Sequence, residues 1–160
     1  MPTTRVLATL EGYSVEGGLD VAGGPATCFA PTIALGRHPG PGDAAGLWRG
    51  YEEVVDAAAG HGVTGIALGV EWARVEPHRG AVDAAALARY AAVAERARSL
   101  GVDVTVTLVD AAWPAWLGLE AWLLPWVVPH YLEHAARVAA ALPGARLVAF
   151  ADPRGLVDRG

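Results

Sequence analysis

Apolar residues recur along the chain at two different periods, and the alternation between those periods outlines the fold. Leu47, Trp48, Tyr51, Val54, Val55 and Ala58 fall at helical spacing, with Asp43 as the expected N-cap and Gly60 and Gly62 as stop signals. Residues 63–70 then form an aliphatic run without polar alternation, as expected of a strand buried on both faces. The pattern repeats. Asp83 is an N-cap candidate for a helix carrying Leu87, Tyr90, Val93, Ala94, Ala97 and Leu100, ended by Gly101. Residues 102–109 read as a second buried strand. A loop over residues 111–124, rich in Trp and Pro, leads to a helix over residues 125–142, closed by Pro143 and Gly144. Residues 146–151 form a third short strand, and residues 5–10 an earlier one.

One helix separates each strand from the next, so the strands are expected to be parallel. A doubly wound sheet or a (β/α)8 barrel would satisfy that order. No G-x-G-x-x-G follows the first strand, which removes the usual argument for a dinucleotide. The chain has 160 residues, and a closed barrel takes about 250. The expected architecture is therefore α/β, a single domain over residues 1–160 with about four βα units, half of a (β/α)8 TIM barrel.

Composition narrows the function classes. The chain is 53% hydrophobic and 18% charged, as for a globular protein. All basic residues are Arg, they are not clustered, and the net charge is -5, which argues against nucleic acid as a partner. The single cysteine, Cys28, excludes an intrachain disulfide and a thiolate metal cluster. The first 18 residues hold no apolar run of signal-peptide length. The most hydrophobic stretch, residues 102–132, is interrupted by Asp110, Glu120 and three prolines, so no membrane span is expected. These features point to a cytoplasmic protein.

In parallel α/β folds the chemistry sits at the carboxyl ends of the strands. Those ends carry Glu71, Asp110 and Asp152. Adjacent strands lie about 4.8 Å apart, so Asp110 and Asp152 would share one rim. They would serve as a carboxylate pair for acid/base work or a hard cation, or simply as solvated residues beyond the strand ends. His130 and His134, four apart on a helix, lack a third ligand and read as a surface pair; no metal site or cofactor is expected. The tryptophans of the rim loop suit either sugar stacking or packing. The two readings stand level for Trp113 and Trp122, and packing is favoured for Trp116 and Trp126.

These residues also carry a resemblance. Gly62 to Gly65, then Val70-Glu71-Trp72-Ala73-Arg74-Val75-Glu76-Pro77 and Gly80, resemble the second-strand signature of family 1 glycoside hydrolases, the β-glucosidase family. Trp113-Pro114-Ala115-Trp116-Leu117 and Trp122-Leu123 resemble the loop after that family's third strand. Tyr13-Ser14-Val15-Glu16-Gly17 is similar to its early Y-Q-x-E-G, and Ala151-Asp152-Pro153 falls where it has N-E-P. The resemblance implies retaining hydrolysis of a β-glycoside by two glutamates, with the acid/base role at Asp152 and sugar contacts at Ser14 and Asp110. It also implies departures. Ser14 stands for Gln, Ala67 for Arg, Asp110 for His, Ala151 for Asn and Asp152 for Glu, and the nucleophile's strand is not among these residues. An Asp carboxyl falls about 1 Å short of a Glu carboxyl, a displacement that can cost about 100-fold in rate. The expectation is a carbohydrate-related protein impaired as a hydrolase. The alternative is a non-catalytic module, a pseudoenzyme, that completes its barrel as a homo-oligomer or with a partner chain.

Overall fold

The computed structural model describes residues 5–154. Four strands, β1 (Leu7–Leu10), β2 (Gly65–Gly69), β3 (Asp103–Thr107) and β4 (Arg146–Val148), form one sheet in sequence order. All three pairings are parallel, with Leu7 opposite Gly65, Gly65 opposite Asp103 and Thr105 opposite Arg146. Short helices α1 (Gly12–Val15), α2 (Ala30–Ala34) and α4 (Trp72–Val75) lie in the connections. The long ones are α3 (Leu47–Gly60), α5 (Ala84–Ser99) and α6 (Val127–Ala141), one in each interval between strands.

The long helices line one face of the sheet. Successive strand residues alternate faces. Leu10, Ile66, Leu68, Val104 and Val106 therefore meet Tyr51 and Val55 of α3, Tyr90, Val93, Ala94 and Ala97 of α5, and Val138 of α6 in one buried cluster. The opposite face carries Leu7, Thr9, Ala67, Asp103, Thr105, Thr107, Arg146 and Val148. The long helices leave this face uncovered, and Leu7 is 65% exposed. In a closed barrel this is the face that points inward. The expectation that residues 102–109 would be buried on both faces therefore fails for half of β3. Val104 and Val106 are buried, but Asp103 is exposed and Thr105 and Thr107 are half-buried. The apolar run extends two residues past the ladder into the rim, where Leu108 and Val109 are buried.

Helix signals were legible where the cap is local. Asp83 accepts backbone N–H bonds from Ala85 and Ala86 at 2.9 and 3.0 Å, as a capping side chain does. Asp43 does not cap α3. It sits in a turn closed by the Gly46 N–H on the Asp43 carbonyl at 2.8 Å, and the helix starts only after Gly46, whose φ of 66° is left-handed. A tighter constraint falls on Gly69, where a Cβ would lie 2.7 Å from the backbone nitrogen of Gly12. This close approach brings the chain leaving β1 across the end of β2.

A second buried cluster covers the carboxyl ends of the strands. Tyr13, Leu19, Cys28, Trp72, Val109, Trp113, Leu117 and Val127 belong to it. Two backbone bonds tie the loop after α1 to the Trp-rich loop, Cys28 N–H to Trp113 O at 2.8 Å and Ala115 N–H to Ala26 O at 3.0 Å.

Candidate active site at the strand ends

The parallel order brings the expected site residues to one end of the sheet. Glu71 follows β2 at the N-cap position of α4, with no side-chain capping bond. The Ala151 N–H donates to Val109 O at 3.0 Å, so pairing between the third and fourth strands continues past β4. Asp110 and Asp152, the residues that follow this pair, therefore leave neighbouring strand ends. Ser14 lies on α1, just beyond β1, and is exposed; its hydroxyl donates to Glu11 Oε2 at 3.1 Å. Asp152 is exposed and Asp110 half-buried.

The tryptophans divide. Trp113 is 3% exposed, stands edge-on to Trp122 at 6.1 Å, and donates its indole N–H to Gly118 O at 2.7 Å. Trp122 is half-buried and edge-on to Tyr131 and Phe150 at 5.7 and 5.0 Å. Trp116 packs edge-on against Trp72 at 6.2 Å and bonds to Glu76 O. Trp126, expected to pack, is 43% exposed and touches His130.

His134 corrects an expectation. It is fully buried, stacked on Trp72 at 4.8 Å, and burial holds its pKa down to about 3, so its ring is a neutral core element. His130 lies apart against Trp116 and Trp126. Among the described residues no group of three or more His, Cys, Asp or Glu is placed to hold a metal.

Beneath the rim lies a polar network that local patterning does not reveal. The Glu16 carboxylate is buried and accepts three bonds: Tyr51 hydroxyl at 2.7 Å, Tyr90 hydroxyl at 2.6 Å and Arg74 Nε at 2.8 Å. Arg74 also donates to Gly17 O at 2.8 Å and lies 4.1 Å over the Trp48 ring. Burial pushes the Glu16 pKa upward, while Arg74 and the two tyrosines pull it back. The residues come from four separate segments, so the sequence offered only the family resemblance at Tyr13–Gly17 and around Arg74.

Tyr90 links this network to the rim, since its oxygen also accepts the Glu71 N–H at 3.2 Å. Glu71 itself is 5% exposed. Desolvation first, then the charge of Glu16, raise its pKa to about 8; the Ala73 N–H and Arg74 oppose this, and Asp110 adds to the rise. Glu71 is therefore largely protonated at neutral pH. It lines, with Gly12, Gly69, Thr107 and Asp110, a pocket of about 10 Å³ at the carboxyl ends of β2 and β3, enough for roughly one water-sized group.

Four parallel strands in sequence order, with the long helices on one face, match part of the TIM-barrel glycosidases. Within that class, the chain resembles the family 1 glycoside hydrolases. No protein-family model matches it. The rice protein "Beta-glucosidase-like SFR2, chloroplastic" (Oryza sativa subsp. japonica) is 26% identical over 133 residues, 79% of this chain and 21% of that protein. The crystal structure of β-glycosidase BGL167 is 29% identical with a TM-score of 0.75, over 91% of this chain and 35% of that one. The GH1 β-glucosidase from Exiguobacterium antarcticum B7 shares the fold at 20% identity with a TM-score of 0.79, over 91% of this chain and 34% of that one. The chain thus spans about a third of the solved relatives and a fifth of the rice protein.

Proposed function

We propose that the chain forms the carbohydrate-facing N-terminal part of a family 1 glycoside hydrolase-like protein, impaired in classical β-glucoside hydrolysis. The observation that carries this reading is the gathering of Ser14, Glu71, Asp110 and Asp152 at one end of a parallel sheet that superposes on β-glucosidases over nine-tenths of its length. Asp152 takes the acid/base position and Ser14 and Asp110 the sugar-contacting ones. Trp122, with a half-buried ring at the rim, and Trp113 behind it form the apolar wall of the sugar site. A retaining mechanism needs two carboxyl groups about 5–5.5 Å apart on opposite sides of the glycosidic bond. The described strands offer only the acid side, so the nucleophile has to come from further polypeptide. The shortened carboxyl at Asp152 lowers proton transfer to the leaving group.

The second reading is the non-catalytic one, in which the uncovered sheet face is a surface for association. All-parallel sheets are normally covered on both faces, whereas Leu7, Thr9 and Arg146 lie open here. A second copy or another chain that supplies further strands would cover that face and both edges. No helix of the described residues is long and apolar enough to cross a membrane. The cytoplasm is the location we propose, to be checked by fractionation.

An aryl β-glucoside assay of the chain and of Asp152→Glu tests the hydrolase reading. Slow release by the native chain, raised in Asp152→Glu, supports an impaired acid. Absence of product from both, at high enzyme concentration, removes hydrolysis by this chain alone, and a nucleophile brought by further polypeptide would then be needed. Size-exclusion chromatography with light scattering decides whether the open face is covered by a second copy.

A further inference from the structure

We propose that the cavity at the amino-terminal ends of β3 and β4, walled by Arg98 and Arg146, binds the phosphate group of a small phosphate monoester. This site lies at the end of the sheet opposite the rim and does not depend on the carbohydrate reading.

The cavity follows from strand register. β3 begins at Asp103, whereas Arg146, the first residue of β4, pairs with Thr105. Asp103 and Val104 therefore run below the start of β4. The turn through Gly144, at a left-handed φ of 76°, bounds the gap on the other side. Arg98, in the last turn of α5, completes a cavity of about 400 Å³. Sites for small organic molecules start at about 300 Å³, so a bound phosphate leaves room for a few carbon atoms.

Donors without acceptors line this cavity. Arg98 Nη2 is buried and has no hydrogen-bond partner among the described residues. Its ion pair, from Nη1 to Glu95 Oε2 at 3.7 Å, is long and reaches an exposed carboxylate, so it contributes little. The Arg146 guanidinium and the Thr105 hydroxyl make no hydrogen bond or ion pair among the described residues. A buried charged N–H without an acceptor is costly, and an oxyanion in the cavity supplies that acceptor.

The charge balance selects an anion. The carboxylate on the cavity wall, Asp103, is paired with Arg5. Arg5, Arg98 and Arg146 thus stand against Asp103 and Glu95, a local positive surplus in a chain whose net charge is -5. A chain of that charge repels anions in general, so attraction here is a property of the place. Phosphate suits the donors best. A guanidinium presents paired N–H groups to two oxygens. A carboxylate satisfies one such fork, whereas the three terminal oxygens of a phosphate monoester serve two forks and the hydroxyl. No bond of the ligand changes.

Isothermal titration calorimetry of the full chain at low ionic strength tests this. The probes are inorganic phosphate and glycerol 3-phosphate, with glycerol and sodium acetate as controls. Glycerol 3-phosphate should bind about tenfold or more tighter than acetate, and glycerol should not bind. Arg98→Gln and Arg146→Gln should each weaken that binding about fivefold or more. Arg79→Gln, which removes the same charge from the exposed loop between α4 and α5, should leave it unchanged. In the 15N-labelled protein, glycerol 3-phosphate should shift the amides of residues 103–105 and 144–146. Circular dichroism checks each fold, and Arg146→Gln, at an exposed position, keeps the test open if Arg98→Gln does not fold. Inorganic phosphate binding as tightly as glycerol 3-phosphate would keep the anion site and overturn the monoester as its ligand. Equal weakening by Arg79→Gln, acetate bound as tightly as phosphate, or no binding of either phosphate would overturn the proposal.

Discussion

Replacing Glu71 by Gln should make the protein more stable at alkaline pH and leave it unchanged in acid. The folded-state pKa of Glu71 is about 8 against an ordinary 4.5, so the folded state holds a proton that the unfolded chain releases. Below about pH 4.5 both states are protonated and the group's contribution to stability is fully present. Between 4.5 and 8 each pH unit removes about 1.4 kcal/mol, because unfolding now releases a proton; above 8 the folded state ionises and the loss is complete. The whole window amounts to roughly 4–5 kcal/mol, large beside the 5–15 kcal/mol typical of a domain. Water reaching the rim pocket would screen part of it, so this is a ceiling. Gln is an uncharged near-isostere and cannot ionise. Urea unfolding followed by tryptophan fluorescence from about pH 5 to 9 should show the variant pulling ahead of the native chain as pH rises. A stability difference that stays constant within about 1 kcal/mol across that range would refute the burial argument for Glu71.

Three further substitutions test the framework. Glu16→Ala leaves Arg74 buried without its carboxylate and frees two tyrosine hydroxyls. It should cost about 3–5 kcal/mol in urea unfolding. Asp83→Ala removes the α5 cap and should cost about 1 kcal/mol with no change in the unfolding slope. Gly69→Ala drives a methyl against the Gly12 backbone nitrogen, and backbone cannot swing aside as a side chain tip can. A loss of about 1–3 kcal/mol in thermal or urea unfolding is expected.

What the sequence disclosed followed from locality. The strands of β2 and β3 and the helix after Asp83 declared themselves because periodicity and capping are short-range signals. The rim carboxyls were found by a rule of fold, that chemistry sits at the carboxyl ends of parallel strands. The start of α3 was misplaced because a turn at Asp43 and a left-handed Gly46 imitate an N-cap in sequence. His134 was misplaced because helical spacing does not say which face a residue occupies, and stacking on Trp72 decides that. The Glu16–Arg74–Tyr51–Tyr90 network stayed hidden because its members are separated by up to 74 positions. The open face of β3 was also missed. An aliphatic run reads as buried on both sides, while Thr105 and Thr107 already marked the side left half-covered.

The account stands on where a sugar would meet this chain. Backbone NMR of the 15N-labelled protein, titrated with the tightest-binding saccharide, measures that directly. The account predicts shifts confined to the segments after the four strands, around Ser14, Glu71, Asp110 and Asp152, and reaching Trp122. Shifts centred on the outer helices, or at the opposite end of the sheet near Arg98 and Arg146, would contradict it.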